Sequence, residues 1–401
     1  MNNESIQPKY TPEEIIAKLQ AHPKFGSQIK PITKHQSAII SSGLEPAVVI
    51  AGAGSGKTET MSNRVLYLVA NGFATPDQIL GLTFTRKAAG ELSVRIRKRL
   101  RQLSQLPEFK HITSTSTAVT TYHSYAGKLL SEHAIRYGID ADADPLGEAA
   151  IWQIASDVVR NWSDDSYRND SAVSTVIKDL LGLSKFMLEH QVKAADIETI
   201  GNDMLERLQS LAGSTNEDTR AVARAMRQRN SLLPMVEAFM ERRKASGELS
   251  FDDQMSLAAD IAQNFEDVGT LERGKYKVVL LDEYQDTSQS QVRMLSALYG
   301  NFVSETGHPV MAVGDPSQAI YTWRGASAGT MASFHKYFPK AAGQTGTEQF
   351  SLPTTFRNDK IILAAANTIS AEIKAAGGQQ VVERKIKIIY LHPYLNYYTR
   401  L

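Results

Sequence analysis

Apolar residues in this chain gather into short, unbroken runs. Residues 47–50 (Ala-Val-Val-Ile), 79–84 (Ile-Leu-Gly-Leu-Thr-Phe), 278–281 (Val-Val-Leu-Leu) and 310–313 (Val-Met-Ala-Val) are each followed by a polar or glycine-containing turn. Such runs are too short for a stable helix, and their lack of alternation requires burial on both faces, so they read as inner strands of a parallel sheet. Residues 118–121 read as a further strand. Residues 57–69 and 87–103 look helical, so strand and helix alternate as in an α/β domain.

The middle of the chain breaks that alternation. From about 126 to 247 the pattern is helical throughout and rich in Leu, Ala, Arg and Glu, with Trp152 and Trp162 as expected packing anchors. Strand signals resume at Val278, which predicts an all-helical subdomain inserted into one α/β domain rather than two unrelated domains. Residues 341–347, rich in Gly and Thr, read as a hinge or surface loop.

A length of 401 residues fits two or three domains. The chain holds no cysteine, which excludes a disulfide scaffold, a Cys-ligated zinc site, an iron–sulfur cluster and a thiol nucleophile together. No apolar run approaches the ~20 residues of a membrane-spanning helix, so no membrane partner is expected. The polar start lacks a secretory pattern, and a cytoplasmic location is the expectation. Net charge is only +1, yet residues 86–101 carry seven Lys/Arg against one acid, Glu91, which makes a local basic patch.

Candidate chemistry begins directly after the first strand. Ala51, Gly52, Ala53, Gly54, Ser55, Gly56, Lys57 and Thr58 join that strand to a helix, the context a phosphate-binding loop needs. Glycines let backbone N–H groups turn toward phosphate oxygens, and the helix N-terminus adds positive potential. Lys57 can reach the terminal phosphates and Thr58 can ligate magnesium. Asp282 and Glu283 stand immediately after another strand, where Asp282 could hold magnesium through water and Glu283 could orient and deprotonate an attacking water.

Residues 281–287 (Leu-Asp-Glu-Tyr-Gln-Asp-Thr) and 313–325 (Val-Gly-Asp-Pro-Ser-Gln-Ala-Ile-Tyr-Thr-Trp-Arg-Gly) make a wider pattern recognisable. They resemble signature motifs of the superfamily 1 DNA helicases of the UvrD/Rep/PcrA type. Further similarities follow in the family's order over about residues 30 to 360. His35-Gln36 resembles the adenine-reading glutamine motif, and Phe84, Thr85, Arg86, Tyr122 and His123 lie in segments resembling its single-strand contacts. Phe251-Asp-Asp253 resembles a small further motif, and Leu352-Pro-Thr-Thr-Phe-Arg357 the arginine motif that opens the second motor lobe.

That resemblance implies ATP and Mg2+ as cofactors, with Lys57, Asp282, Glu283, Gln318 and Arg357 as catalytic residues and Thr58 and Asp282 at the metal. Gln318 would sense the γ-phosphate, and Arg357 would neutralise charge on the transferred phosphoryl. Tyr321, Trp323 and Arg324 would join the DNA-binding surface, the two rings stacking on unpaired bases. The implied partners are single-stranded DNA and its junctions with duplex.

The implied fold class is an α/β RecA-like P-loop parallel sheet with helices on both faces, an inserted helical subdomain and a truncated second RecA-like lobe. The expected boundaries are 1–125 and 248–349 for the first lobe, 126–247 for the insertion, and 350–401 for the start of the second lobe with an atypical tail. Two departures from the family pattern stand out. Glu59 occupies a position where a basic residue commonly follows Lys-Thr, with Arg64 farther along the helix, and the motifs beyond Arg357, including a second arginine finger, do not follow. The expectation is a 3′-to-5′ DNA helicase half that binds nucleotide but unwinds poorly unless a partner chain supplies the second lobe. The alternative is a non-catalytic, ATP-dependent DNA-binding or interaction module.

Overall fold

The structure, a computed structural model, describes residues 7–137, 147–163, 171–210, 217–246, 251–300, 307–321, 329–340 and 347–375. Two compact units divide the chain: the first takes the residues up to Tyr125, Ala262–Thr287 and those from Val292 on, the second Ala126–Ile261 with Ser288–Gln291.

Six strands build the first unit: β1 (Ala47–Ala51), β2 (Ile79–Thr83), β3 (Ala118–Thr121), β4 (Val278–Leu281), β5 (Val310–Gly314) and β6 (Glu348–Leu352). They form one sheet in the order β3-β2-β4-β5-β1-β6, with every pairing parallel. Helices α1 (Pro12–Gln20), α2 (Lys34–Ile40), α3 (Lys57–Ala70) and α4 (Arg86–Leu103) bury Ile15, Ile39, Val65, Leu92 and Ile96 in one core with Val49, Ile79, Leu280 and Val313. The interleaved strand residues Val48, Val279, Leu281 and Ala312 are buried as well. Burial on both faces is the physical reason these strands read as continuous apolar runs.

β6 escaped the sequence pattern. Its residues Glu-Gln-Phe-Ser-Leu are mostly polar and only the last two are buried, as suits an edge strand. It pairs with β1 from Ala47–Glu348 to Ala51–Leu352, so residues 350–352 belong to this sheet. The chain passes into the second unit within α5 (Tyr122–His133).

Helices α6 (Glu148–Arg160), α7 (Val173–His190), α8 (Ala194–Ser210) and α9 (Glu217–Ser246) form most of the second unit around Ala155, Leu180, Leu233, Val236 and Phe239. Trp162 packs against this core as expected, whereas Trp152 remains 37% exposed and is not an anchor. Residues 341–346 of the expected Gly/Thr-rich loop lie outside the described residues. Among the described residues no helix is long and apolar enough to cross a membrane.

Candidate functional site

β1 delivers the glycine-rich loop to the carboxyl edge of the sheet, and Gly56 caps α3 with φ +90°. Gly54 has φ +72°, and a Cβ there would collide with the Cβ of Arg357 and lie 2.9 Å from Thr355 Oγ1. At Gly56 a Cβ would lie 2.9 Å from Gln36 Nε2. Both positions therefore need glycine twice over, for left-handed backbone and for close approach. Among the described residues the buried Ser55 hydroxyl has no hydrogen-bond partner, and α3 directs the positive end of its dipole at the loop. An orphaned donor beside a left-handed glycine cradle fits a phosphate.

Neighbouring segments hold the loop in place. Thr355 Oγ1 donates to the Ala53 carbonyl at 2.8 Å, and the Phe356 N–H donates to the Gly54 carbonyl at 2.8 Å. These bonds set exposed Arg357 beside the loop. On the other side Gln36 is buried at the start of α2, where its Oε1 accepts the Thr33 N–H at 3.0 Å and its own N–H bonds Thr33 Oγ1 at 3.2 Å. That reciprocal cap fixes the side chain with Nε2 toward Gly56.

β4 brings in the acidic pair. The Asp282 N–H donates to the Leu82 carbonyl at 2.8 Å, extending the β2–β4 ladder by one residue. Burial, reinforced by the Glu283 charge, pushes the Asp282 carboxyl up to about 6, against the opposing pull of Lys57 and a hydrogen bond from the Glu283 N–H. Glu283 adopts left-handed backbone (φ +49°), which costs a non-glycine residue about 1–2 kcal/mol and is tolerated where the surroundings over-determine it. Its Oε2 accepts from Lys57 Nζ at 3.0 Å, so the loop lysine and the carboxylate expected to handle water form an ion pair.

The loop after β5 closes the arrangement. Asp315 caps a short turn by accepting the Ser317 N–H at 3.0 Å, and its Oδ2 accepts from Gln318 Nε2 at 2.6 Å. Gln285 bonds Glu283, Asp286 and the Asp315 backbone, although no role for it was legible in the sequence. Burial also raises the Asp286 carboxyl above its ordinary value. Among the described residues no cluster of three or more His, Asp or Glu side chains could hold a metal by itself. One carboxylate, Asp282, and one hydroxyl, Thr58, instead suit magnesium that arrives with phosphates.

On the surface beyond, Phe84 stacks on Tyr321 with ring centres 4.6 Å apart, next to exposed Thr85, Arg86 and Lys87. Tyr122 departs from expectation. Its ring is buried and its hydroxyl donates to the Asp282 carbonyl at 3.2 Å, so it supports the acidic strand end from beneath, while His123 is exposed. Trp323 and Arg324 lie outside the described residues. The basic run is also smaller than its charge count, because Arg95 and Arg99 bind Glu59 at 3.0 and 2.5 Å.

That ion cluster accounts for the acid after Lys57-Thr58: Glu59 ties α3 to α4. Arg64 turns away from the loop, donating through Nη1 to the Ile40 and Ser42 carbonyls at 2.6 Å and through Nη2 to Gly43 at 2.8 Å. Burial lowers its pKa to about 10, and the three carbonyls at the end of α2 retain the cation.

Comparison with known proteins agrees with this geometry. The family model for the UvrD/REP helicase N-terminal domain matches residues 32–339. The ATP-dependent DNA helicase UvrD1 of Mycobacterium tuberculosis (strain ATCC 25618 / H37Rv) is 29% identical over 340 residues, covering 84% of this chain and 39% of that protein. The ATP-dependent DNA helicase PcrA of Staphylococcus aureus (strain NCTC 8325 / PS 47) is 26% identical over 334 residues, covering 83% of this chain and 39% of its own. The chain thus spans about two fifths of the length of these relatives. A parallel sheet with a phosphate-type loop on β1, an acidic pair on β4 and a family match over most of its length make this chain a member of the UvrD/REP helicase N-terminal domain family.

Proposed function

We propose that this chain is the ATP-binding motor half of a DNA helicase or translocase. Lys57, Ser55 and the backbone from Gly52 to Gly56 would hold the triphosphate, and Gln36 would meet the adenine through Nε2. Thr58 and Asp282 would share a magnesium ion with the phosphates, which supplies charge neutralisation at the transferred phosphoryl. Glu283 would take the proton of the attacking water, and Arg357 and Gln318 would approach the γ-phosphate.

The observation that carries this reading is the Lys57–Glu283 pair at 3.0 Å, which closes residues 226 positions apart into one site. An incoming phosphate competes for Lys57 and releases Glu283 for water, so binding itself readies the base. Phe84, Thr85, Arg86, His123 and Tyr321 would hold single-stranded DNA, the cations by phosphate contact and the rings by stacking. Movement in the 3′-to-5′ direction with strand separation is the activity we assign to the whole motor, in which this chain would supply the nucleotide site and part of the DNA surface.

Magnesium-dependent ATP hydrolysis, with and without single-stranded DNA, tests the proposal against a Lys57→Ala control. DNA-stimulated turnover abolished by the substitution is the expected result. Nucleotide binding with no turnover under any condition would favour the non-catalytic module, and no Lys57-dependent binding would defeat both.

A further inference from the structure

Gln285 follows the acidic pair by two residues and is only 1% exposed. Its carboxamide is fully engaged. Nε2 donates to Glu283 Oε2 at 2.9 Å and to Asp286 Oδ2 at 3.2 Å, while Oε1 accepts the Asp315 N–H at 3.0 Å. The chemistry of these neighbours allows one orientation, because a flipped amide would set its oxygen against two carboxylates and its NH2 against an N–H. Gly314 makes the approach feasible, since a Cβ there would collide with Gln285 Oε1.

Hydrogen bonds continue on both sides of this carboxamide. Glu283 Oε2 also accepts from Lys57 at 3.0 Å, and Asp315 Oδ2 accepts from Gln318 at 2.6 Å. Asp286, the second carboxylate held by Gln285, accepts the Ile320 N–H at 3.4 Å, one residue before the Tyr321 ring that stacks on Phe84. One buried side chain therefore links the phosphate-loop lysine and the water-handling acid to the loop that leads to the nucleic-acid surface.

The geometry points to Gln285 as a positioning residue that orients Glu283 and ties it to the Asp315–Tyr321 loop. The inference rests on the proposed ATP-hydrolysing function of the site. Gln285 touches no substrate in this scheme. It acts by fixing the Glu283 side chain, and by making any shift of the Asp315 loop felt at the carboxylate.

Two substitutions separate its donor and acceptor roles. Gln285→Glu keeps the acceptor for Asp315 and loses both donors, whereas Gln285→Leu loses all three bonds. In both variants kcat for DNA-stimulated ATP hydrolysis is expected to fall about 10- to 100-fold, the scale of a misplaced catalytic group, with KM for ATP held within about threefold. Amide exchange at Asp315 is expected to quicken about fivefold or more in Gln285→Leu and to stay unchanged in Gln285→Glu.

A folded Gln285→Glu variant with kcat within about twofold of the parent, or a KM rising in step with the kcat loss, would overturn the positioning role. Unchanged Asp315 exchange in Gln285→Leu would overturn the link to the loop, and that readout requires no turnover. Failure of the wider reading looks different: a parent chain without Lys57-dependent nucleotide binding defeats the proposed function, while Asp315 exchange still decides whether Gln285 holds the loop.

Discussion

Replacing Asp282 with asparagine should stabilise the protein while removing the magnesium-holding role proposed for this side chain. The carboxyl sits 6% exposed at the end of β4, and its displacement from the ordinary 3.8 to about 6 arises first from burial and then from Glu283. At about 1.4 kcal/mol for each pH unit of displacement, keeping Asp282 ionised near neutrality costs the fold about 3 kcal/mol. Asparagine is nearly isosteric, carries no charge, and can still accept the Glu283 N–H that Asp282 Oδ1 receives at 3.1 Å. The attraction of Lys57 is already contained in that displacement, so the expected net gain at pH 8 is about 1–3 kcal/mol, or several degrees in thermal midpoint.

The sign with pH is fixed by the direction of the displacement. The folded carboxyl titrates above its unfolded counterpart, so its contribution to stability is fully present below about pH 3.8 and is lost as pH rises through about 6. The substituted carboxamide does not titrate, so Asp282→Asn and the parent should melt alike near pH 3.5 and diverge up to pH 8, the variant being the more stable. Thermal unfolding from pH 3.5 to 8 without nucleotide or magnesium measures this. A difference that does not vary with pH, or a variant less stable at pH 8, would refute the argument.

Two other perturbations follow from the same geometry. Arg64→Met should destabilise by about 3 kcal/mol or more in chemical unfolding, because three carbonyls at the end of α2 lose a buried cationic donor, and Arg64→Lys should not restore them all. Exposed Arg86 and paired Arg95 should separate in DNA titrations: Arg86→Ala lowers the salt slope of single-strand binding by about 0.7–1, whereas Arg95→Ala, whose cation already serves Glu59, leaves it nearly unchanged.

Much of the fold was legible because its strands are buried on both faces. β1, β2, β4 and β5 announce themselves as unbroken apolar runs, and the glycine loop and acidic pair fall at the ends of β1 and β4, where the proposed chemistry needs them. β6 was illegible for the opposite reason, since an edge strand tolerates Glu348 and Gln349. Long and aromatic side chains were the other blind spot. Nothing local reveals that Arg64 folds back on α2, that Glu59 reaches α4, or that Tyr122 lies beneath Asp282 while its neighbour His123 is exposed. Gln285 was hidden because its function depends on Asp315, 30 residues away and in register only after β4 and β5 pair.

The most direct test of the account is the affinity of the chain for a non-hydrolysable ATP analogue with magnesium, measured in the presence and absence of single-stranded DNA. If the phosphate loop and the Phe84–Tyr321 surface form one coupled machine, DNA changes nucleotide affinity, nucleotide changes DNA affinity by the same factor, and Lys57→Ala removes the effect. Nucleotide affinity indifferent to saturating DNA, or binding that survives Lys57→Ala intact, would contradict it.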